Sequence, residues 1–222
     1  MIKLFNADIL DIFPTDDGFV YAAKETVAGG NEAVTFHCYN NKSDFFTKMP
    51  VNLYITAKFG ENGFNAARNL GDFVTCNIHT VSGKTFAFYP SGKVKHLDEI
   101  GNVTGEEIFL YKNKPVYPAI AEGKNFWCCV QDENAIINYS MKYKRAEFRI
   151  GSTEDKSFLH PTDIKYYDNL LYICASNSYK IRTMNIYDYT VEDYFIFHEP
   201  VYKYFRSGKK EYVYLKSGVY EL

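Results

Sequence analysis

Three aspartates offer the sharpest chemistry in this chain. Asp8, Asp11 and Asp163 each stand in or beside an alternating apolar run. Two carboxyl groups held about 5–10 Å apart over one pocket could divide the work of cleaving a glycosidic bond, one as acid and one as nucleophile or base. Their sequence positions do not fix such a spacing; only a fold could. The same residues read equally well as turn-capping or channel-solvating aspartates. Other catalytic patterns are missing. No serine sits in G-x-S-x-G, and neither a P-loop nor a G-x-G-x-x-G occurs. The five histidines, His37, His79, His96, His160 and His198, show no i,i+2 or i,i+4 pairing. A zinc site would need the fold to gather three or four ligands. The sequence therefore predicts no metal and no cofactor.

The five cysteines include one adjacent pair, Cys128-Cys129. Neighbours on a strand point to opposite faces and make a poor ligand pair. Free buried thiols are expected, with no base beside Cys128 to activate it.

A second set of residues suits recognition rather than catalysis. His79, Asp132, Asn177 and Lys180 are assigned to loops between the second and third strands of a repeated unit. His160 and His198 are assigned to links between units. They can converge on one rim only if the units form a ring.

The unit itself is clearest between Phe158 and Phe197. HPTDIKYY, LLYICA, KIRTMNI and YFIF read as four short strands, and Asp168-Asn169 turns the chain between the first two. Four antiparallel strands in about 40 residues is the size of one propeller blade. Similar anchors stand at Phe19, Phe73, Phe126, Leu171 and Tyr212, and three residues later come Ala22, Cys76, Cys129, Cys174 and Leu215. Small apolar residues there suit close blade packing. TFAFYPSGKVKHL is the plainest hairpin. Val51 to Phe59 alternates as a strand of an insertion or of an extended blade edge. FNAARNL resembles one helical turn, and HTVSGK and GNVTGEE are assigned to loops.

These anchors predict an all-β chain: one β-propeller domain over residues 1–222 with five four-stranded antiparallel blades, or alternatively six. The fifth unit lacks a strand, and MIKLF at the start has no partner of its own. Pairing MIKLF with VYEL would close the ring and remove two exposed sheet edges.

The fourth unit resembles an NHL-type propeller repeat, at Phe158, Pro161, Ile164, Leu171, Tyr172, Ile173, Asn177 and Ile181. Ser176 replaces the family's usual Asp, and Lys180-Ile181 replaces its Arg-Ile pair. The third unit matches more loosely, at Pro118, Ile120, Phe126, Asn134 and Ile136. The resemblance implies a propeller and no particular reaction.

Composition agrees with β structure. Aromatic residues make up 18% of the chain, with 20 Tyr and 18 Phe. A net charge of -2 lacks the basic surplus usual in a nucleic-acid binder. Asn6, Asp8 and Asp11 interrupt the N-terminal apolar run, so no signal peptide or membrane span is predicted, and the cytoplasm is the expected location. The expected function is a non-enzymatic binding ring that takes a protein, small-molecule or carbohydrate ligand at a loop rim or channel mouth. A glycoside-acting enzyme and a structural assembly module are the alternatives.

Overall fold

A computed structural model describes every residue except Asn62 and Ser82. Strand β1 (Ile2–Phe5) leads into the first blade, β2 (Asp8–Thr15), β3 (Gly18–Thr26), β4 (Glu32–Asn40) and β5 (Phe45–Met49). Two helices follow, α1 (Val51–Phe59) and α2 (Gly63–Leu70). The second blade is β6 (Asn77–Val81), β7 (Lys84–Phe88), β8 (Lys93–Leu97) and β9 (Val103–Ile108), trailed by a small hairpin, β10 (Leu110–Tyr111) and β11 (Lys114–Pro115). The third is β12 (Ala119–Glu122), β13 (Asn125–Val130), β14 (Ala135–Ser140) and β15 (Arg145–Ile150). The fourth is β16 (Pro161–Tyr167), β17 (Leu170–Ala175), β18 (Lys180–Asn185) and β19 (Val191–Ile196). The last is β20 (Val201–Ser207), β21 (Lys210–Leu215) and β22 (Gly218–Glu221). Among the described residues these make five four-stranded antiparallel sheets, each ordered as a meander, with β1 completing the last. The chain is a five-bladed β-propeller. Among the described residues no helix is long and apolar enough to cross a membrane.

Ring closure follows the predicted pairing. Ile2 stands opposite Glu221, Lys3 opposite Tyr220 and Phe5 opposite Val219. The close approach needs Gly218, at φ +139°, where any Cβ would collide with the Phe5 carbonyl oxygen. Within the fourth blade, Asp168 and Asn169 both take positive φ, 52° and 64°, the geometry of a tight two-residue hairpin turn.

Strand alternation builds the core. On β13, Phe126 and Cys128 pack toward the second blade with Phe86 and Phe88. Trp127 and Cys129 pack the other way, with Ile164, Leu171 and Ile173 of the fourth. This is why Cys128 and Cys129 are both buried while facing opposite neighbours. Tyr172 and Cys174 meet Tyr204 and Val213 at the next seam. Phe19 and Tyr21 meet Phe205, Tyr212 and Val219 where the ring closes.

The seam between the first and second blades is built differently. Tyr54 of α1 packs on Val20 and Ala22 of the first blade. Ala66 and Leu70 of α2 pack on Ala87 and Leu97 of the second. The two helices form a wedge where other seams place sheet against sheet.

Here the sequence reading needs correction. Val51–Phe59 is a helix, not a strand, and FNAARNL belongs to the eight-residue helix α2. Pro50 opens α1 with φ −62°, and Gly60 at φ 79° closes it by donating to the Thr56 carbonyl. The local alternation of VNLYITAKF fits a strand; packing between two blades overrides it.

The second blade accordingly begins later than expected, at Asn77. Of HTVSGK, residues 79–81 lie in β6 and Lys84 opens β7, while Ser82 lies outside the described residues; Val103–Ile108 is an edge strand rather than a loop. The equivalent second-strand position therefore passes through Ala22, Phe88, Cys129, Cys174 and Tyr214, so it is small in three blades and aromatic in the second and fifth. Cys76 and Leu215 are not part of that row.

Candidate functional site

The innermost strand of each blade brings one residue to an equivalent place. Asp11 stands opposite Ala22, Asn77 opposite Phe88, Asp163 opposite Cys174 and Lys203 opposite Tyr214. Pro118 takes this place in the third blade, accepting from the Cys129 N–H at 2.9 Å. In the first, fourth and fifth blades a bulge falls immediately before that residue, at Leu10, Thr162 and Tyr202. A bulge re-aims the side chain that follows it. Two residues further on, by strand alternation, come Phe13, His79, Ile120 and Lys165. All nine line one cavity of about 280 Å³, and Lys58 reaches it from α1.

Two of these residues act as staples between blades. Asn77 Oδ1 accepts the backbone N–H of Ala119 at 3.0 Å. Asp163 Oδ2 accepts that of Tyr204 at 3.1 Å. Ala119 and Tyr204 each directly follow the equivalent residue of the next blade. Asp11 faces the helical wedge instead, and α1 supplies two of its three side-chain donors. Tyr54 Oη and Lys58 Nζ each donate to Asp11 Oδ2 at 2.8 Å, and Lys203 Nζ donates to Oδ1 at 3.0 Å.

Burial alone would raise the Asp11 carboxyl, but Lys203 and Lys58 outweigh it and hold the pKa at about 2. The same pair works in reverse on Lys203. Burial disfavours its charge, yet Asp11 keeps its pKa above the usual lysine value. Lys165 Nζ donates to Asp163 Oδ1 at 2.9 Å. Burial, with Lys165 adding to it, lowers His79 to about 4, so the imidazole is neutral at pH 7. Its Nε2 lies 3.2 Å from Asn77 Oδ1. Burial pushes the Cys76 thiol up to about 11, which removes its value as a nucleophile.

The cavity thus gathers three ammonium groups and two carboxylates. Asp11 is locked ionised by two lysines and cannot serve as the proton donor that glycoside cleavage needs. Asp163 has both oxygens occupied by donors. Asp8 is exposed opposite Lys24 and does not line the cavity.

Of the six residues assigned to recognition, only His79 lines this cavity, and it does so from an inner strand. Its assignment to a loop followed from the misplaced second blade. Asp132 is in the turn after β13, 3.5 Å from Lys114. His160 sits at φ 54°, its N–H donating to Asn134 Oδ1 at 2.9 Å and its carbonyl accepting from Ser176 Oγ at 3.1 Å. The exposed Asn177 donates its N–H to the Leu159 carbonyl at 3.2 Å. Lys180 pairs with Asp193 at 2.6 Å. His198 is exposed in the link before β20. Sequence reasoning missed Lys58, Asn77, Lys165 and Lys203. Aligning first strands instead of second strands would have brought Asn77 and Lys203 into register with Asp11 and Asp163.

No protein-family model matches the chain, and no curated protein matches it. The propeller implied by the repeat resemblance is present; membership of the NHL-type family has no family-model support. Solved structures share the fold at low identity. Saccharomyces cerevisiae Sqt1 aligns with a TM-score of 0.52 at 10% identity, over 96% of this chain and 72% of that one. The WD40 propeller domain of Doa1 gives 0.52 at 11%, over 93% and 60%. U3-55K gives 0.51 at 8%, over 94% and 58%. The chain thus spans between about three-fifths and three-quarters of these neighbours.

Proposed function

We propose that this chain is a non-enzymatic binding propeller that receives a small ligand in the cavity at the centre of its ring. One observation carries the reading: all five inner strands and helix α1 contribute to a single cavity, largely apolar in its lining, whose carboxylates are already engaged by lysines and a backbone N–H. A volume of about 280 Å³ lies just below the ordinary range of ligand pockets, which starts at roughly 300 Å³, and so suits a small ligand. Preorganised donors around a half-open space support binding. The absence of a poised acid among the two lining aspartates counts against glycoside cleavage.

A panel of small polar molecules, screened by ligand-observed NMR, tests this. Binding without turnover is expected, and Pro14→Trp should weaken it, because Pro14 is an exposed residue at the cavity edge. Steady hydrolysis of a glycoside by purified protein would replace this reading with the enzymatic one. Likeness to WD40 rings supports a second reading, a protein-interaction platform in the expected cytoplasmic setting. That reading rests on the fold alone.

A further inference from the structure

Resting on the cavity being a binding site, we infer that the group it takes is a small anion, a carboxylate or a phosphate, held by the ammonium groups of Lys165 and Lys203.

The charge count points that way. Lys58, Lys165 and Lys203 line the cavity with only Asp11 and Asp163 to balance them. His79 adds no negative charge. Asp11 answers two of the lysines and Asp163 the third, leaving one surplus positive charge inside the ring. A partly buried charge without a counter-charge is costly, and an anion removes that cost.

Hydrogen-bond capacity says which lysines are available. An ammonium has three donors. Lys58 spends two, on Asp11 Oδ2 at 2.8 Å and on the Val74 carbonyl at 2.6 Å. Lys165 spends one on Asp163, and Lys203 spends one on Asp11. Each therefore keeps two N–H groups with no protein acceptor among the described residues. Their side chains are 21% and 25% exposed, so they are reachable yet shielded from bulk screening. Charge-assisted bonds to an anion are strongest in such a setting.

The test is amide-detected NMR titration of the full chain, in low-chloride buffer at pH 7, with three probes: inorganic phosphate, malonate and glucose. Saturable shifts at Asn77, Ala119, Thr162 and Tyr204 with phosphate or malonate, and none with glucose, are expected. Which of the two anions binds more tightly separates phosphate from carboxylate recognition. Lys165→Gln and Lys203→Gln should each weaken anion binding at least tenfold, while Lys216→Gln, outside the cavity, leaves it unchanged. If Lys203→Gln unfolds, because Lys203 also supports Asp11, Lys165→Gln decides the matter. Glucose binding at these amides, unaffected by the lysine variants, overturns the anion and keeps the binding site. Anion shifts confined to surface lysines overturn the inference, whatever glucose does. No shift at the inner strands with any probe overturns both the inference and the binding reading.

Discussion

Lys203, on the inner strand of the last blade, donates to Asp11 on the inner strand of the first at 3.0 Å, across a separation of 192 residues. The contact sits where the ring closes and continues through Asp11 into Tyr54 and Lys58 of the helical wedge. One buried carboxylate therefore joins three parts of the chain that meet only when folding is complete.

Removing that carboxylate leaves two ammonium groups without their partner. Asp11→Ala should cost roughly 3–5 kcal/mol of unfolding free energy. Lys203→Met should cost less, because Lys58 and Tyr54 still satisfy Asp11. Urea denaturation of both variants checks the order, and a smaller loss for Asp11→Ala than for Lys203→Met would contradict the bridging role.

Acid should weaken the fold in two separate steps. His79 titrates at about 4 in the folded protein against 6.5 when unfolded. The unfolded chain thus binds the proton first, and stability falls as pH drops from 6.5 toward 4, by roughly 3 kcal/mol at most. Asp11 acts lower, because its folded value of about 2 lies below the ordinary carboxylate value of 3.8. Its contribution is complete above 3.8 and disappears as pH falls through 2. Denaturant midpoints at pH 7.5, 5 and 4 should decline in the native protein and decline less in His79→Gln.

Closure by β1 should be needed for solubility as well as stability. Phe5 stacks on Tyr21 with ring centroids 4.6 Å apart and meets Phe46 edge-on at 5.1 Å. Phe5→Ala should cost about 2 kcal/mol, less than a fully buried phenylalanine. Deleting residues 1–6 bares the β22 edge, and light scattering should report association. Gly218→Ala should reproduce part of that loss by keeping β1 from seating.

Arg206 should resist even conservative replacement. Its guanidinium lies 4.7 Å from the Tyr172 ring centroid and 5.0 Å from that of Tyr167. It also donates to the hydroxyls of Tyr204 and Tyr172, each at 2.8 Å. Lysine has neither the planar face nor the fork that these contacts use. Arg206→Lys should lower stability by about 2 kcal/mol, measured by thermal unfolding at neutral pH.

Local pattern determined the blades. Alternation in NFWCCV and LLYICA, the Asp168-Asn169 turn and the unpaired MIKLF at the start carry strand identity, repeat length and ring closure, because strand periodicity and turn chemistry are encoded over a few residues. Tertiary structure decided the rest. VNLYITAKF becomes a helix because a gap between two blades must be filled, and nothing in nine residues announces that gap. His79 moves from a supposed loop to the channel wall for the same reason, since the wedge delays the second blade. The cavity's lysines come from positions 58, 165 and 203, and their shared charge exists only once the ring has brought them to one axis.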